Sequence, residues 1–145
     1  MKKSFVVARL LLLTFGLLLL SGVDAAEKKH KIALSFSSSD LSVEKRIFTN
    51  LENIVHYYGK DNLQIEVVAY GPGLQLVTKK SSFPEEMKTW LKEPYVRFSA
   101  CGNTMNTIEK ATGKRPVLID GVVEVEGGIL RLIDLQEEGY VYLTP

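Results

Sequence analysis

The stretch YVRFSACGNTMNTI, residues 95–108, determines the predicted fold class. Residues 96–100 are predicted to form a short buried strand, and from Gly102 onward apolar side chains recur at helical spacing. The only cysteine, Cys101, is therefore predicted at a strand-to-helix turn. In an open α/β sheet, such turns meet at the carboxyl ends of the strands, where the next helix directs free N–H groups and the positive end of its dipole. A thiol there loses its proton more readily, because this environment stabilises the thiolate.

Upstream of this stretch, two strand patterns flank one helix pattern. Polar and apolar side chains alternate in residues 31–36, and residues 62–70 are rich in branched side chains, so both segments are predicted to be strands. Between them, apolar residues recur every three or four positions from Asp40, a suitable N-cap, to Gly59, a suitable C′ residue. A helix of about 18 residues between two strands predicts a βαβ unit with parallel strands and a right-handed crossover.

Two further helices are predicted on either side of the cysteine strand. Ser82, followed three residues later by Glu85, forms a capping-box pattern with Pro84 in the first turn, and this helix ends before Pro94. The helix that follows the cysteine is predicted to end at Gly113.

The last third of the chain completes the alternation of strands and helices. Asp120-Gly121 is also a hairpin signal, but Gly127-Gly128 and the periodic run 129–135 favour a fourth parallel strand at residues 122–125, followed by a helix. A fifth strand is predicted at residues 140–143. Five strands alternating with helices predict a three-layer α/β/α sandwich with an open, mainly parallel five-stranded sheet.

Residues 1–26 are predicted to be a secretory signal peptide rather than part of the fold. Two lysines follow Met1, an apolar stretch interrupted once by Arg9 comes next, and small residues end the segment at Ala25 and Ala26. The unbroken apolar run 10–20 is shorter than the roughly 20 residues of a membrane-spanning helix. We therefore expect cleavage rather than a retained anchor, and a periplasmic or secreted single domain of residues 27–145.

The composition excludes several classes of function. The chain has 145 residues, 46% hydrophobic and 24% charged, with a formal net charge of +1, which predicts one ordinary globular domain and no nucleic-acid partner. One cysteine excludes an intrachain disulfide and a multi-cysteine zinc site, and His30 and His56 lack the spacing of metal ligands. Gly71-Pro72-Gly73 fits no phosphate-binding loop pattern. We therefore predict no metal and no cofactor.

The residues at the predicted carboxyl edge of the sheet form the candidate site. The backbone N–H groups after Cys101 would bind an anion, and a serine after the first strand would supply a hydroxyl. The glycines after the second strand make either a tight turn or the backbone wall of a pocket shared with the thiol. The candidate residues are Cys101 as the reactive group, with Gly102, Asn103, Thr104, Gly71, Gly73 and Ser37 around it.

Three segments carry a resemblance to a known family. VVAYGPG at residues 67–73, FSACGNTM at 98–105 and EGYVYL at 138–143 resemble the DsrE/DsrF-like proteins, small α/β subunits associated with sulfur relay. The resemblance extends over nearly all of residues 27–145 and implies an open five-stranded parallel sheet and a trimer or hexamer. In the sulfur-relay members, a cysteine at a strand end like that of Cys101 carries sulfur as a persulfide.

Two functions remain open from the sequence. In the first, Cys101 is a nucleophile that carries sulfur between a donor and an acceptor protein, which supply the other thiols. In the second, the protein is a non-enzymatic oligomeric binding module and Cys101 is a buried structural thiol. Under either hypothesis we expect a homo-oligomer, and the aromatic residues proposed for its surface are Tyr57, Tyr58, Phe83 and Trp90.

Overall fold

A computed structural model describes residues 29–145, so the predicted signal peptide lies outside the described residues. Five strands form one sheet, and every neighbouring pair in it is parallel. The order across the sheet is fourth, third, second, first, fifth. The strands are β1 (His30–Phe36), β2 (Leu63–Ala69), β3 (Val96–Cys101), β4 (Val123–Val125) and β5 (Val141–Leu143).

Four α-helices connect the strands. They are α1 (Leu41–Tyr58), α2 (Pro84–Trp90), α3 (Gly102–Thr112) and α4 (Gly128–Glu137), together with 3₁₀ segments at Lys60–Asn62 and Gly71–Val77. No helix within residues 29–145 has the length and apolar character needed to cross a membrane.

The direction of each crossover determines which face of the sheet a helix covers. The chain steps from β1 to β2, β3 and β4 in one direction, and right-handed crossovers place the intervening helices on one face. On this first face α1, α2 and α3 pack on a core that includes Phe36, Phe98 and Met105. The return from β4 to β5 runs the opposite way and places α4 on the second face, against Val68 and Tyr140. The predicted three-layer sandwich is confirmed, with three helices on one side and one on the other.

Local capping signals account for both ends of α1 and for the end of α3. Asp40 caps α1 by accepting the Ser42 N–H on Oδ1 at 2.7 Å, and Gly59 follows its last turn. Gly113 ends α3 at φ 71°, a left-handed conformation that glycine adopts without steric cost.

The predicted capping box at Ser82 is wrong. Helix α2 begins at Pro84 with Phe83 as its N-cap residue, and no side chain caps it. The Phe83 ring packs on Phe48 with 5.7 Å between ring centroids. This apolar contact holds Phe83 at the start of the helix, and Ser81 Oγ accepts the Phe83 N–H at 3.2 Å.

The fourth strand is parallel to the third, as predicted, and Asp120-Gly121 makes no hairpin. Val125 lies opposite Cys101 in the β3–β4 register. The apolar residues before the Asp120-Gly121 turn make a separate antiparallel bridge, in which Leu118 pairs with Thr78.

A charged cluster lies buried between the sheet and α4, and we call it the Glu66 cluster. Glu66, only 2% exposed, accepts hydrogen bonds from Arg131 Nε at 2.9 Å and Nη2 at 2.8 Å, and from Ser99 Oγ at 2.6 Å. Arg131 Nη1 also donates to Glu138 at 2.9 Å, and Arg97 Nε lies 3.8 Å from Glu66. The single helix on the second face is therefore attached through charge as well as apolar packing.

Candidate functional site

Cys101 belongs to two elements at once. It is the last residue of β3 and the N-cap of α3, with extended backbone angles (φ −71°, ψ 110°). Alternation along the strand places its side chain with that of Ser99 on the second face, beneath α4. The residue is 5% exposed, so the thiol lies just below the protein surface.

Several hydrogen-bond donors surround the thiol. The Thr104 N–H donates to Cys101 Sγ at 3.4 Å. The Thr104 hydroxyl and the backbone N–H groups of Gly128 and Asn103 also contribute to lowering the pKa of the thiol. Burial raises the pKa of the Cys101 thiol, but these hydrogen bonds together lower it by more. The pKa of Cys101 therefore lies below its ordinary value, so the site stabilises the thiolate more than the surroundings of a free cysteine do.

A close backbone approach brings α4 to the thiol. A Cβ atom on Gly128 would lie 2.8 Å from Tyr70 Cβ and 3.3 Å from Cys101 Cβ. Gly102 is similarly constrained, since its Cβ would lie 2.9 Å from the carbonyl oxygen of Val125. Glycine is therefore needed at both positions, at Gly128 for α4 to approach Tyr70 and Cys101, and at Gly102 for the start of α3 to approach the end of β4.

The structure brings some of the predicted site residues together. Gly71 N–H donates to Thr104 Oγ1 at 2.9 Å, which joins the loop after β2 to the first turn of α3. Gly102 is buried beside Cys101. The Asn103 N–H donates to the Glu126 carbonyl at 3.1 Å in addition to its interaction with the sulfur.

Two predicted residues lie apart from this group. Gly73 is buried against β1, where an added Cβ would be 2.6 Å from the Phe36 carbonyl oxygen. Ser37 is exposed in the loop after β1, and β2 separates that strand from β3.

Two residues near the thiol were not predicted as site residues. Gly128 approaches Cys101 directly, and Tyr70 packs against Gly128 while its hydroxyl lies 3.1 Å from Ser35 Oγ. Side chains alternate between the two faces along β2, so Tyr70 lies on the same second face as Glu66 and Val68, and the sequence could have placed it there. For Gly128, the sequence pattern indicated only the start of a helix and gave no sign that the residue lies near Cys101.

A cavity of about 280 Å³ lies beside the start of α4 on the second face. Its walls share Val125, the register partner of Cys101, and Gly127, the N-cap of α4, with the surroundings of the thiol. Within residues 29–145, no group of three His, Cys, Asp or Glu side chains is placed to hold a metal ion.

Comparison with known proteins identifies the family. The model of the DsrE/DsrF-like family matches residues 21–145. The chain belongs to the DsrE/DsrF-like family. Its fold is also similar to the solved structure of MTH1491, a protein of unknown function from Methanobacterium thermoautotrophicum, with 26% identity, a TM-score of 0.71, and coverage of 81% of this chain and 100% of that one. No curated protein matches the chain. Membership of the DsrE/DsrF-like family suggests a sulfur-relay type of role.

Proposed function

We propose that this protein carries sulfur as a persulfide on Cys101. The observation that carries the proposal is the set of donors around the sulfur, which lowers the pKa of the thiol despite its burial. A lowered pKa increases the thiolate fraction near neutral pH, and the thiolate is the nucleophilic form. The family to which the chain belongs supports the same chemistry.

The proposed transfer needs no oxidant. The Cys101 thiolate attacks the terminal sulfur of a donor persulfide, an S–S bond forms at Cys101, and the donor leaves as its thiolate. An acceptor thiolate then attacks the terminal sulfur of the Cys101 persulfide, which restores the Cys101 thiolate. The Thr104 N–H stabilises the Cys101 thiolate before the attack and after the sulfur has been released. Because the chain has one cysteine, the other thiols belong to the donor and the acceptor.

The test measures the reactivity and the sulfur load of Cys101. The alkylation rate of the folded protein should reach half its maximum at a lower pH than that of the same chain in denaturant. Thr104→Val should raise this midpoint because it removes the hydroxyl, whereas Thr104→Ser retains the hydroxyl and should leave it near wild type. After incubation with a small persulfide, intact mass should increase by one sulfur atom, and Cys101→Ser should abolish the increase. Serine is a suitable control because it remains a good N-cap.

A buried structural thiol in a binding module is the second candidate. The observation that favours it is the 5% exposure of Cys101, since inert free cysteines are commonly buried. Labelling that stays slow at every pH until denaturant is added, with no gain in mass, would contradict the carrier proposal and support this one.

We also propose that the protein is exported, on the strength of residues 1–26 in the sequence. Expression of the full chain should yield an extracytoplasmic product whose N-terminus lies just after Ala25 or Ala26. Intact mass and N-terminal sequencing of each cell fraction measure this. A full-length product that is extracted only with membranes would contradict cleavage.

Finally, we propose a homo-oligomer, a trimer or a hexamer. Its support is the α4 apolar face, formed by Ile129, Leu130 and Ile133, whose residues are 55%, 50% and 48% exposed. Contiguous exposed apolar side chains are typical of protein interfaces. Of the aromatic residues proposed from the sequence, Tyr57 is 80% exposed, whereas Phe83 and Trp90 pack partly against the core.

A further inference from the structure

The cavity beside α4 has the size of a small-molecule site. Its volume of about 280 Å³ lies near the lower end of ligand pockets, roughly 300–1,000 Å³, which suits a ligand with few non-hydrogen atoms. Strand β3, the segment after β4 and helix α4 all contribute to its walls. The lining residues are Arg97, Val125, Glu126, Gly127, Leu130, Arg131 and Asp134.

The charges around this cavity are not all neutralised by one another. The Arg131 guanidinium forms ion pairs with Glu66 and Glu138. Arg97, by contrast, has a half-exposed side chain, and its one ion pair within residues 29–145 is the long 3.8 Å contact with Glu66. In the same part of the chain, Glu126 and Asp134 form no ion pair. One guanidinium with only a long ion pair and two carboxylates with no ion pair therefore line one cavity.

We propose that this cavity binds a small zwitterionic α-amino acid. Arg97 offers paired N–H donors that suit an α-carboxylate, and Glu126 and Asp134 accept the three N–H bonds of an α-ammonium group. Val125 gives the wall an apolar part, where a short aliphatic side chain packs. Binding at this site does not depend on sulfur transfer by Cys101, so the two proposals stand separately.

Three matched probes test the requirement for both charges. L-Alanine carries both groups, propionate lacks the ammonium group, and ethylamine lacks the carboxylate. A ligand-detected NMR titration of the purified protein should show saturable binding of L-alanine. Propionate and ethylamine should each bind at least about tenfold more weakly, because each loses charge-assisted hydrogen bonds. Equal affinity for L-alanine and propionate, or for L-alanine and ethylamine, would overturn the proposal, as would the absence of saturable L-alanine binding.

Charge-removing variants locate the site. Arg97→Gln and Asp134→Asn should each weaken L-alanine binding at least about tenfold. The matched controls are Arg46→Gln and Asp61→Asn, which change exposed residues on or beside α1 and should leave the affinity unchanged. Thermal unfolding of each variant verifies that it is folded. Weakening by the controls as much as by the cavity variants, or retained affinity in Arg97→Gln, would place binding elsewhere and overturn the proposal.

Discussion

Replacing Glu66 with alanine is expected to lower the free energy of unfolding by about 3–5 kcal/mol, the range for breaking a buried ion pair by removing one partner. The Glu66 side chain is 3% exposed and accepts three hydrogen bonds from Arg131 and Ser99. Its removal leaves the largely buried Arg131 guanidinium with Glu138 alone. Chemical denaturation of wild type and variant measures the difference.

An exposed ion pair in the same chain provides the control. Arg115 Nη2 lies 2.6 Å from Glu124 Oε1, a shorter distance than in the Glu66 pair, but both side chains are more than a third exposed. Glu124→Ala is therefore expected to cost less than about 1 kcal/mol. Equal losses in the two variants would contradict the claim that burial, rather than distance, determines the energy.

The pH dependence of stability gives a second measurement on the same pair. Burial raises the pKa of Glu66, but hydrogen bonds and charge from Arg131, with Ser99 and Arg97, lower it by more, so the folded pKa lies below the ordinary 4.5. A carboxyl group with a lowered folded pKa stabilises the fold fully above its unfolded pKa and loses this contribution as pH falls through the folded value. Wild type should therefore lose more stability below pH 4.5 than Glu66→Ala does.

Ile133→Glu is expected to dissociate the proposed homo-oligomer. Ile133 lies within the α4 apolar face and is 48% exposed in the single chain. Burying an unpaired carboxylate at the centre of an interface should raise the dissociation constant at least about 30-fold, the size of an interface hot spot. Light scattering across a concentration series measures the shift from oligomer to monomer.

Val117→Glu is the matched control for this variant. Val117 is also an exposed aliphatic residue, at 62%, but it lies before β4 and outside the α4 apolar face. The Val117→Glu variant should retain the oligomer mass of the wild-type protein in light scattering. A wild-type protein that is monomeric at micromolar concentration would contradict the oligomer itself, and dissociation by both variants would contradict its location.

Local signals accounted for the order of the elements. Asp40, Gly59 and Gly113 mark helix ends through contacts within a few residues, which a sequence pattern contains. The periodic run in α4 was less informative. Leu132 is buried whereas Ile133 is exposed, and an apolar stripe wide enough to include both looks the same whether it faces a core or another subunit.

The candidate site was predictable only in part, because its donors come from distant segments. The turn after β3 placed Cys101 and Thr104 together from the sequence alone. The contribution of Gly128 depends on the return of the chain from β4 across the second face, which no local pattern determines. The opposing effects of burial and hydrogen bonding on the Cys101 pKa could therefore be compared only once α4 was in place.

The first turn of α4 is common to the thiol and the cavity. Gly127 lines the cavity, and the next residue, Gly128, lies against the side chain of Cys101. Where two equilibria on one segment influence each other, their linkage is reciprocal. Any factor by which cavity occupancy changes the proton affinity of Cys101 is the same factor by which thiolate formation changes the affinity of the cavity for its ligand.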